Sequence, residues 1–186
     1  MRKLISFMAV TLDGYSEGPN GEFDWPNVDD EFSEFSISQL NDIDTLLFGR
    51  ATYEVMAGYW PTPAALEYNP VIAEKMNTIS KVVVSRTLDA ADWQNTTLVK
   101  GNAADAISEL KQQPGKDLAV FGSSRLTASL LEQGLVDELR VMVNPILLGA
   151  GNSLFRTLNG RIPLELRQTT TFSSGNVLLV YRPAAR

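Results

Sequence analysis

Three short segments of the chain combine small or hydroxyl residues with one arginine: Gly49-Arg50-Ala51-Thr52, Ser85-Arg86-Thr87 and Gly122-Ser123-Ser124-Arg125, the last continued by Leu126. Each follows an apolar run of strand length. Together they suit a phosphorylated ligand. Glycine lets the backbone come close, and a helix N-terminus offers free N–H groups and partial positive charge. Serine and threonine donate hydrogen bonds, and arginine makes forked, charge-assisted contacts with phosphate. Taken singly, each segment reads as an ordinary turn or helix cap. The recurrence at three strand ends is the signal, because neither a G-x-G-x-x-G nor a G-x-x-x-x-G-K-[ST] fingerprint is present.

The chain contains no His and no Cys. Disulfides, cysteine–zinc sites, thiol nucleophiles and histidine proton transfer are therefore excluded. No metal site is expected. Any catalysis must use carboxylates, hydroxyls, Lys or Arg, backbone groups or a bound cofactor. Asp13 closes the first apolar run and Asp29 and Asp30 open the first helix, while Trp25, Tyr53 and Trp60 can wall a flat ring by stacking. The ordinary roles are a turn at Asp13-Gly14, a helix cap at Asp29 or Asp30, and loop packing for Trp60 beside Pro61. Sixteen Lys and Arg against 22 Asp and Glu leave a formal charge of −6, which argues against general nucleic-acid binding.

The elements that must position these residues can be read in order. Leu4 to Leu12 is a nearly continuous apolar run, ended by Asp13-Gly14, and the Gly- and Pro-rich stretch from Ser16 to Asn27 is a loop. A helix follows with Phe32, Phe35, Leu40 and Ile43 on its inner face. Thr45 to Phe48 is a buried strand, Ala51 to Met56 a short helix, and Ala64 to Asn77 a helix limited by Pro70. Lys81 to Ser85 and Leu98-Val99 are strands. Asn102 caps a helix from Ala103 to Gln113, which Pro114-Gly115 ends. Leu118 to Phe121 is a strand, followed by a helix to Gln133 and a strand from Glu138 to Val143. Leu164 to Phe172 and Val177 to Arg182 form a hairpin turning at Ser173-Ser174-Gly175-Asn176. Alternating buried strands and helices predict an α/β fold with a mostly parallel sheet, helices on both faces and antiparallel strands at one edge. With 186 residues and no repeat or linker, residues 1–186 read as one domain.

At these positions the chain resembles a known family. Gly49-Arg50-Ala51-Thr52-Tyr53-Glu54 resembles the G-R-x-T-[WY]-E stretch of dihydrofolate reductases, and Phe121 to Leu126 resembles their second glycine-rich phosphate loop. Thr11-Leu12-Asp13-Gly14, Leu135 to Leu139 and Pro145 to Gly151 look like the reductase domain of the bifunctional riboflavin-biosynthesis deaminase-reductases. The resemblance spans about residues 3–182 and is closest to free-standing bacterial members. It implies a three-layer dihydrofolate-reductase-like fold, NADPH as cofactor, and hydride transfer to a pterin- or pyrimidine-type substrate. It implies that Gly49, Arg50 and Thr52 hold phosphate, that Ser85 and Arg86 flank the adenosine 2′-phosphate, and that Gly122, Ser123, Ser124, Arg125 and Leu126 line the pyrophosphate. Ala9 and Val10 would border the nicotinamide. The substrate side would be Trp25, Tyr53 and Asp13, with Asp30 as the acid and Asp29 as the helix cap. Two departures stand out. Ser follows Gly122 where dihydrofolate reductases have a second glycine, and no D-P-x-L-x-x-R stretch for a ribose phosphate follows Tyr53.

The resemblance also implies a homodimer, paired through the apolar segment from Pro145 to Phe155. The first ten residues are briefly basic and then apolar, but the run stops at Thr11. No run nears the roughly 18 apolar residues of a membrane helix, so the expected setting is the cytoplasm. A rival reading from another class keeps the fold without the reaction, as a nucleotide-binding or ligand-sensing module.

Overall fold

The computed structural model describes residues 1–184. The chain runs β1 (Leu4–Thr11), β2 (Tyr15–Glu17), α1 (Asp30–Asp42), β3 (Ile43–Gly49), α2 (Arg50–Tyr59), α3 (Pro63–Tyr68), α4 (Pro70–Thr78), β4 (Ser80–Val84) and β5 (Thr96–Val99). It continues through α5 (Ala103–Gln112), β6 (Asp117–Phe121), α6 (Ser124–Glu132), β7 (Glu138–Asn144), β8 (Asn152–Ser153), β9 (Leu164–Thr171) and β10 (Val177–Pro183). Eight strands form one sheet in the order β5-β4-β3-β6-β1-β7-β10-β9. The pairs from β5 to β7 are parallel, and β10 runs antiparallel to both β7 and β9. This is the α/β architecture that the sequence predicts, a mostly parallel sheet with antiparallel strands at one edge.

The continuous apolar strands follow from burial on both faces of the sheet. In β3 successive side chains alternate. Leu46 and Phe48 join the core beneath α1, α2 and α4, while Leu47 joins the core beneath α5 and α6. Both clusters are made of fully buried residues, among them Met76, Trp93, Ile107, Leu118 and Leu130.

Four details differ from expectation. The helix from Ala64 to Asn77 is two helices. Pro70 has no amide to donate, and it pushes Asn69 out of the helical region, to φ −146° and ψ 82°. Asn69 then caps α4 by accepting from the Ile72 amide at 3.2 Å. Ile43, expected on the inner face of α1, is the first residue of β3 instead. A small ladder of β2 with β8 ties the loop after β1 to the loop after β7. At the outer edge, β9 is exposed on both faces over most of its length.

Lys81 of β4 is unusual, being only 1% exposed. Its ammonium donates to the carbonyls of Met76, Asn77 and Ile79 at 2.9, 3.0 and 2.7 Å. It also sits 4.4 Å from the centroid of the Trp93 ring. The side chain thus closes the C-terminal end of α4, whose last carbonyls have no helical partner. Burial pushes its pKa down to about 8. Among the described residues no helix is long and apolar enough to cross a membrane.

Candidate functional site

The chain leaves β3 toward β4 and leaves β6 toward β7, on opposite sides. The carboxyl ends of the adjacent strands β3 and β6 therefore flank a topological switch point, the usual place for a ligand in an open α/β sheet. Gly49 ends β3 there, and Gly122-Ser123 follows β6. The two ends are stitched together: the Gly49 amide donates to Ser123 Oγ at 2.9 Å, and the Ser123 amide donates to Thr52 Oγ1 at 3.1 Å.

Where a second glycine was absent from the sequence, two consecutive left-handed residues make the turn, Gly122 at φ 68° and Ser123 at φ 54°. A Cβ on Gly122 would lie 3.2 Å from Thr52 Cγ2, so the glycine serves both the conformation and the close approach. The turn leads directly into α6, as Gly49 leads into α2, so the N-termini of the two helices stand at the carboxyl ends of neighbouring strands.

These two helices share a property. Asp29, Thr62, Asn69 and Asn102 cap α1, α3, α4 and α5 by accepting from an amide of the first turn. Neither α2 nor α6 has a side-chain cap. The uncapped N-termini are thus the two at the switch point, and uncapped N-termini attract anions.

Arginines surround them. Arg50 opens α2, reaches Thr87 Oγ1 at 3.2 Å and lies 3.8 Å from Glu54, which brings the ends of β3 and β4 together. Arg86 and Arg125 are exposed and make no hydrogen bond or ion pair among the described residues. Ser85 is buried, and its hydroxyl accepts from the amides of Thr87 and Leu88 at 3.2 and 3.0 Å. It therefore shapes the turn that presents Arg86. Ser124 opens α6, half-buried, and Leu126 packs against the core beneath that helix.

The other half of the carboxyl edge, over β1, β7 and β10, is covered by loops. Asp13 does not stand free. Its carboxylate accepts from Thr11 Oγ1 at 2.6 Å and from the amides of Leu148 and Gly149 at 3.3 and 2.8 Å. These bonds, that from Thr11 first, hold the carboxyl below its ordinary range. Asp13 thereby pins the loop after β7 to the end of β1. Asp29 caps α1 through the Phe32 amide at 2.8 Å. Asp30 begins that helix, exposed. Trp25 is half-buried and packs edge-on against Phe23, with ring centroids 5.3 Å apart. In β1, Val10 is buried and Ala9 half-buried, both beside β7.

Tyr53, expected as a substrate wall, is a core residue. It is 4% exposed, its ring packs against Trp93, and its hydroxyl accepts from the Trp93 amide at 3.0 Å. The reason is its place in α2. Tyr53 falls on the face that covers the sheet, while Arg50 and Glu54 face solvent. It borders a separate concavity of about 870 Å³ between α2, α4 and residues 90–94, which none of the strand-end arginines lines.

An asparagine network was not foreseen. The Asn27 amide donates to Asn144 Oδ1 at 2.9 Å, Asn27 Nδ2 to the Ser174 carbonyl at 3.2 Å, and Asn176 Nδ2 to the Asn27 carbonyl at 2.9 Å. It fastens the Trp25 loop over the ends of β7 and β10. Its members in the sequence are the asparagine that closes the loop before α1, the last residue of β7 and the residue before β10. In the segment from Pro145 to Phe155, Leu154 is buried and Phe155 packs beside it, partly buried, while Leu147 is 67% exposed.

Residues 2–178 match the model of the RibD C-terminal domain family. The chain is 37% identical over 182 residues to the uncharacterized protein YyaP of Bacillus subtilis, covering 97% of this chain and 94% of YyaP. Its fold superposes with a TM-score of 0.71 on a diaminohydroxyphosphoribosylaminopyrimidine deaminase/5-amino-6-(5-phosphoribosylamino)uracil reductase of Thermotoga maritima. That match has 16% identity and covers 98% of this chain but 57% of the other. A dihydrofolate reductase of Enterococcus faecalis complexed with NADP(H) superposes at 0.65, with 16% identity and 98% and 97% of the two chains covered. The chain belongs to the RibD C-terminal domain family.

Proposed function

We propose that this family member is an NADPH-dependent reductase that delivers a hydride to a carbon–nitrogen or carbonyl double bond of a pterin- or pyrimidine-type heterocycle. The observation that carries the reading is the selective capping of the helices. Four N-termini are closed by a side chain, and the two that face one crevice at the switch point are left open to an anion. The residues around them fit a dinucleotide with an additional phosphate. The backbone at Gly49 and Gly122-Ser123-Ser124, with the α6 amides of Arg125 and Leu126, would hold the pyrophosphate. Thr52 braces that loop from below. Arg50 and Arg86, presented by the Ser85 turn, would hold the 2′-phosphate. Ala9 and Val10 would border the nicotinamide.

When bound, the cofactor supplies the hydride. This chain must then position the acceptor and manage one proton. Trp25 offers an aromatic wall, and Asp30, exposed at the first position of α1 and without a side-chain partner among the described residues, is the carboxyl proposed to face the substrate. With no His and no Cys in the chain, a carboxylic acid is the natural donor. The Thermotoga and Enterococcus relatives support the reading, the first by its reductase activity on an aminouracil and the second by its bound NADP(H).

The test is NADPH binding followed by NADPH oxidation across dihydropterins, aminopyrimidines and quinones. Saturable binding with turnover on a heterocycle supports the reading. Binding without turnover on any of them leaves a nucleotide-binding module, and absence of binding rejects the cofactor assignment.

A second copy of the chain is also proposed as partner, seated on the outer edge of β9. That strand leaves its outer backbone edge unpaired in the sheet and exposes Leu164 and Leu166 by 40% and 55%. Antiparallel pairing about Leu166 would set Glu165 of each copy opposite Arg167 of the other, a self-complementary arrangement.

A further inference from the structure

We propose that the substrate half of the crevice is built for a flat heterocycle that is neutral or cationic and carries no phosphate. The proposal deepens the reductase reading and rests on it. The first observation is the partition of charge along the carboxyl edge of the sheet. The ends of β3, β4 and β6 carry Arg50, Arg86 and Arg125. The stretches next to the ends of β1 and β7 and the turn before β10 carry no cation, the first ones beyond them being Arg156 and Arg161 between β8 and β9. From Leu4 to Gly49 there is no Lys or Arg, and none occurs from Asn144 to Phe155 or from Phe172 to Leu179. The loop between β1 and α1 instead carries Asp13, Glu17, Glu22, Asp24 and Asp29, and Asp30 follows as the first residue of the helix. Several of these carboxylates already accept hydrogen bonds, Asp13 from the 148–149 amides, Glu17 from Asn152 at 2.7 Å and Asp29 from Phe32. All those donors are neutral. Arg156 donates to Asn152 Oδ1, the residue whose Nδ2 holds Glu17, so a single guanidinium stands beside six carboxylates and the balance of the wall stays negative.

The second observation concerns what the same wall offers. In the same loops Leu12, Phe23 and Val28 are exposed by 66%, 58% and 47%, with Phe23 packed against the half-buried Trp25. Trp25 Nε1 is a buried donor without an acceptor. Asn176, fully buried, has an Oδ1 without a donor, although its Nδ2 holds the Asn27 carbonyl. The Ser174 hydroxyl of the same turn is also unpartnered. Buried polar groups are ordinarily satisfied. Here three unmet groups belong to one hydrogen-bonded corner, knitted together by Asn27. An apolar, aromatic wall with an unmet donor and an unmet acceptor matches an aromatic ring whose edge alternates C=O and N–H or amino groups. A phosphate placed where carboxylates outnumber cations is repelled. The cofactor's own phosphates avoid this, because they lie with the arginines.

The experiment is isothermal titration of the protein, free and saturated with NADPH, with three probes. They are 5-amino-6-(5-phosphoribosylamino)uracil, the same compound without its phosphate, and 2,4-diaminopyrimidine as a flat cation. At low salt the dephosphorylated compound should bind at least ~10-fold tighter than its phosphorylated parent, and the gap should narrow in high salt as charges are screened. Phe23→Arg, a change at an exposed position, should narrow it by roughly threefold or more through one added cation. Equal or tighter binding of the phosphorylated compound overturns the proposal. So does a failure of both unphosphorylated probes to bind. An NADPH titration in the same buffer separates the two readings. If the heterocycles bind and NADPH does not, the cofactor assignment has failed and the charge selectivity stands.

Discussion

The Gly49 amide rests on the hydroxyl of Ser123 at 2.9 Å, although 74 residues separate them. This one bond joins the ends of β3 and β6, and the return bond from the Ser123 amide to Thr52 makes the junction reciprocal. The Ser123 hydroxyl, expected as a direct phosphate ligand, thus has a bracing duty as well. Its backbone is left-handed, which costs a non-glycine residue on the order of 1 kcal/mol or more. Ser123→Gly should relieve that strain while losing the hydroxyl, and Ser123→Ala should lose the hydroxyl and keep the strain. Both should weaken NADPH binding, by roughly tenfold for an orphaned amide. Thermal unfolding should rank Ala below Gly. If alanine is the more stable of the two, the left-handed turn is not under strain.

Arg50→Ala and Arg86→Ala should each weaken NADPH far more than NADH. A charge-assisted contact to phosphate contributes roughly 1.5–3 kcal/mol, about ten- to hundredfold in affinity. Fluorescence titration with the two cofactors measures it. Parallel losses for both cofactors would remove these arginines from the 2′-phosphate.

Asp30→Asn should cut turnover on the true substrate by about 10²-fold or more, the usual scale for a positioned acid, with little change in NADPH affinity. Asp29→Asn should leave turnover intact, because Asn caps a helix nearly as well and Asp29 is occupied by the Phe32 amide. Steady-state kinetics of the pair decides the matter. Full activity in Asp30→Asn ends the role proposed for it.

Lys81 provides a pH signature in stability. Its pKa falls from 10.5 to about 8 on folding, so between those values the unfolded chain binds more protons than the folded one. Stability from this group therefore rises with pH across that window. Below pH 8 the burial cost is fully present, and above 10.5 it is gone. The three carbonyls that accept from the ammonium and the Trp93 face oppose the shift, so the gain should be modest, on the order of 1–2 kcal/mol. Urea unfolding of the wild type and Lys81→Met at pH 7.5 and 10 tests it. The wild type should gain on the variant as pH rises, and a constant difference would show that the folded pKa is not lowered.

The dimer proposed at β9 predicts a mass of twice 20.4 kDa by light scattering at micromolar concentration. Leu166→Arg should bring that mass to one chain without loss of thermal stability of the fold, since Leu166 is 55% exposed. A monomer in the wild type rejects the partner.

The sequence by itself determined the class of fold, the order of the main strands and most helices, and the gathering of small residues and arginines at three strand ends. Those properties are written in local terms. Buried strands show as apolar runs such as Leu4 to Thr11, caps as single residues such as Asn102, and the proposed phosphate sites as Gly, Ser and Arg at strand ends. Which of those residues face the crevice was decided only by the tertiary structure. Tyr53 sits one residue from Thr52 in the same motif, yet the turn of α2 sends its ring into the core against Trp93. Asp13 looked equally available to a substrate, but amides from residues 148 and 149 arrive from far along the chain and occupy it. Lys81 opens a strand in the sequence, and only the end of α4 above it, with three carbonyls, makes a buried place for its ammonium. Each outcome depends on a partner remote in sequence, and composition and spacing along the chain carry no record of such partners.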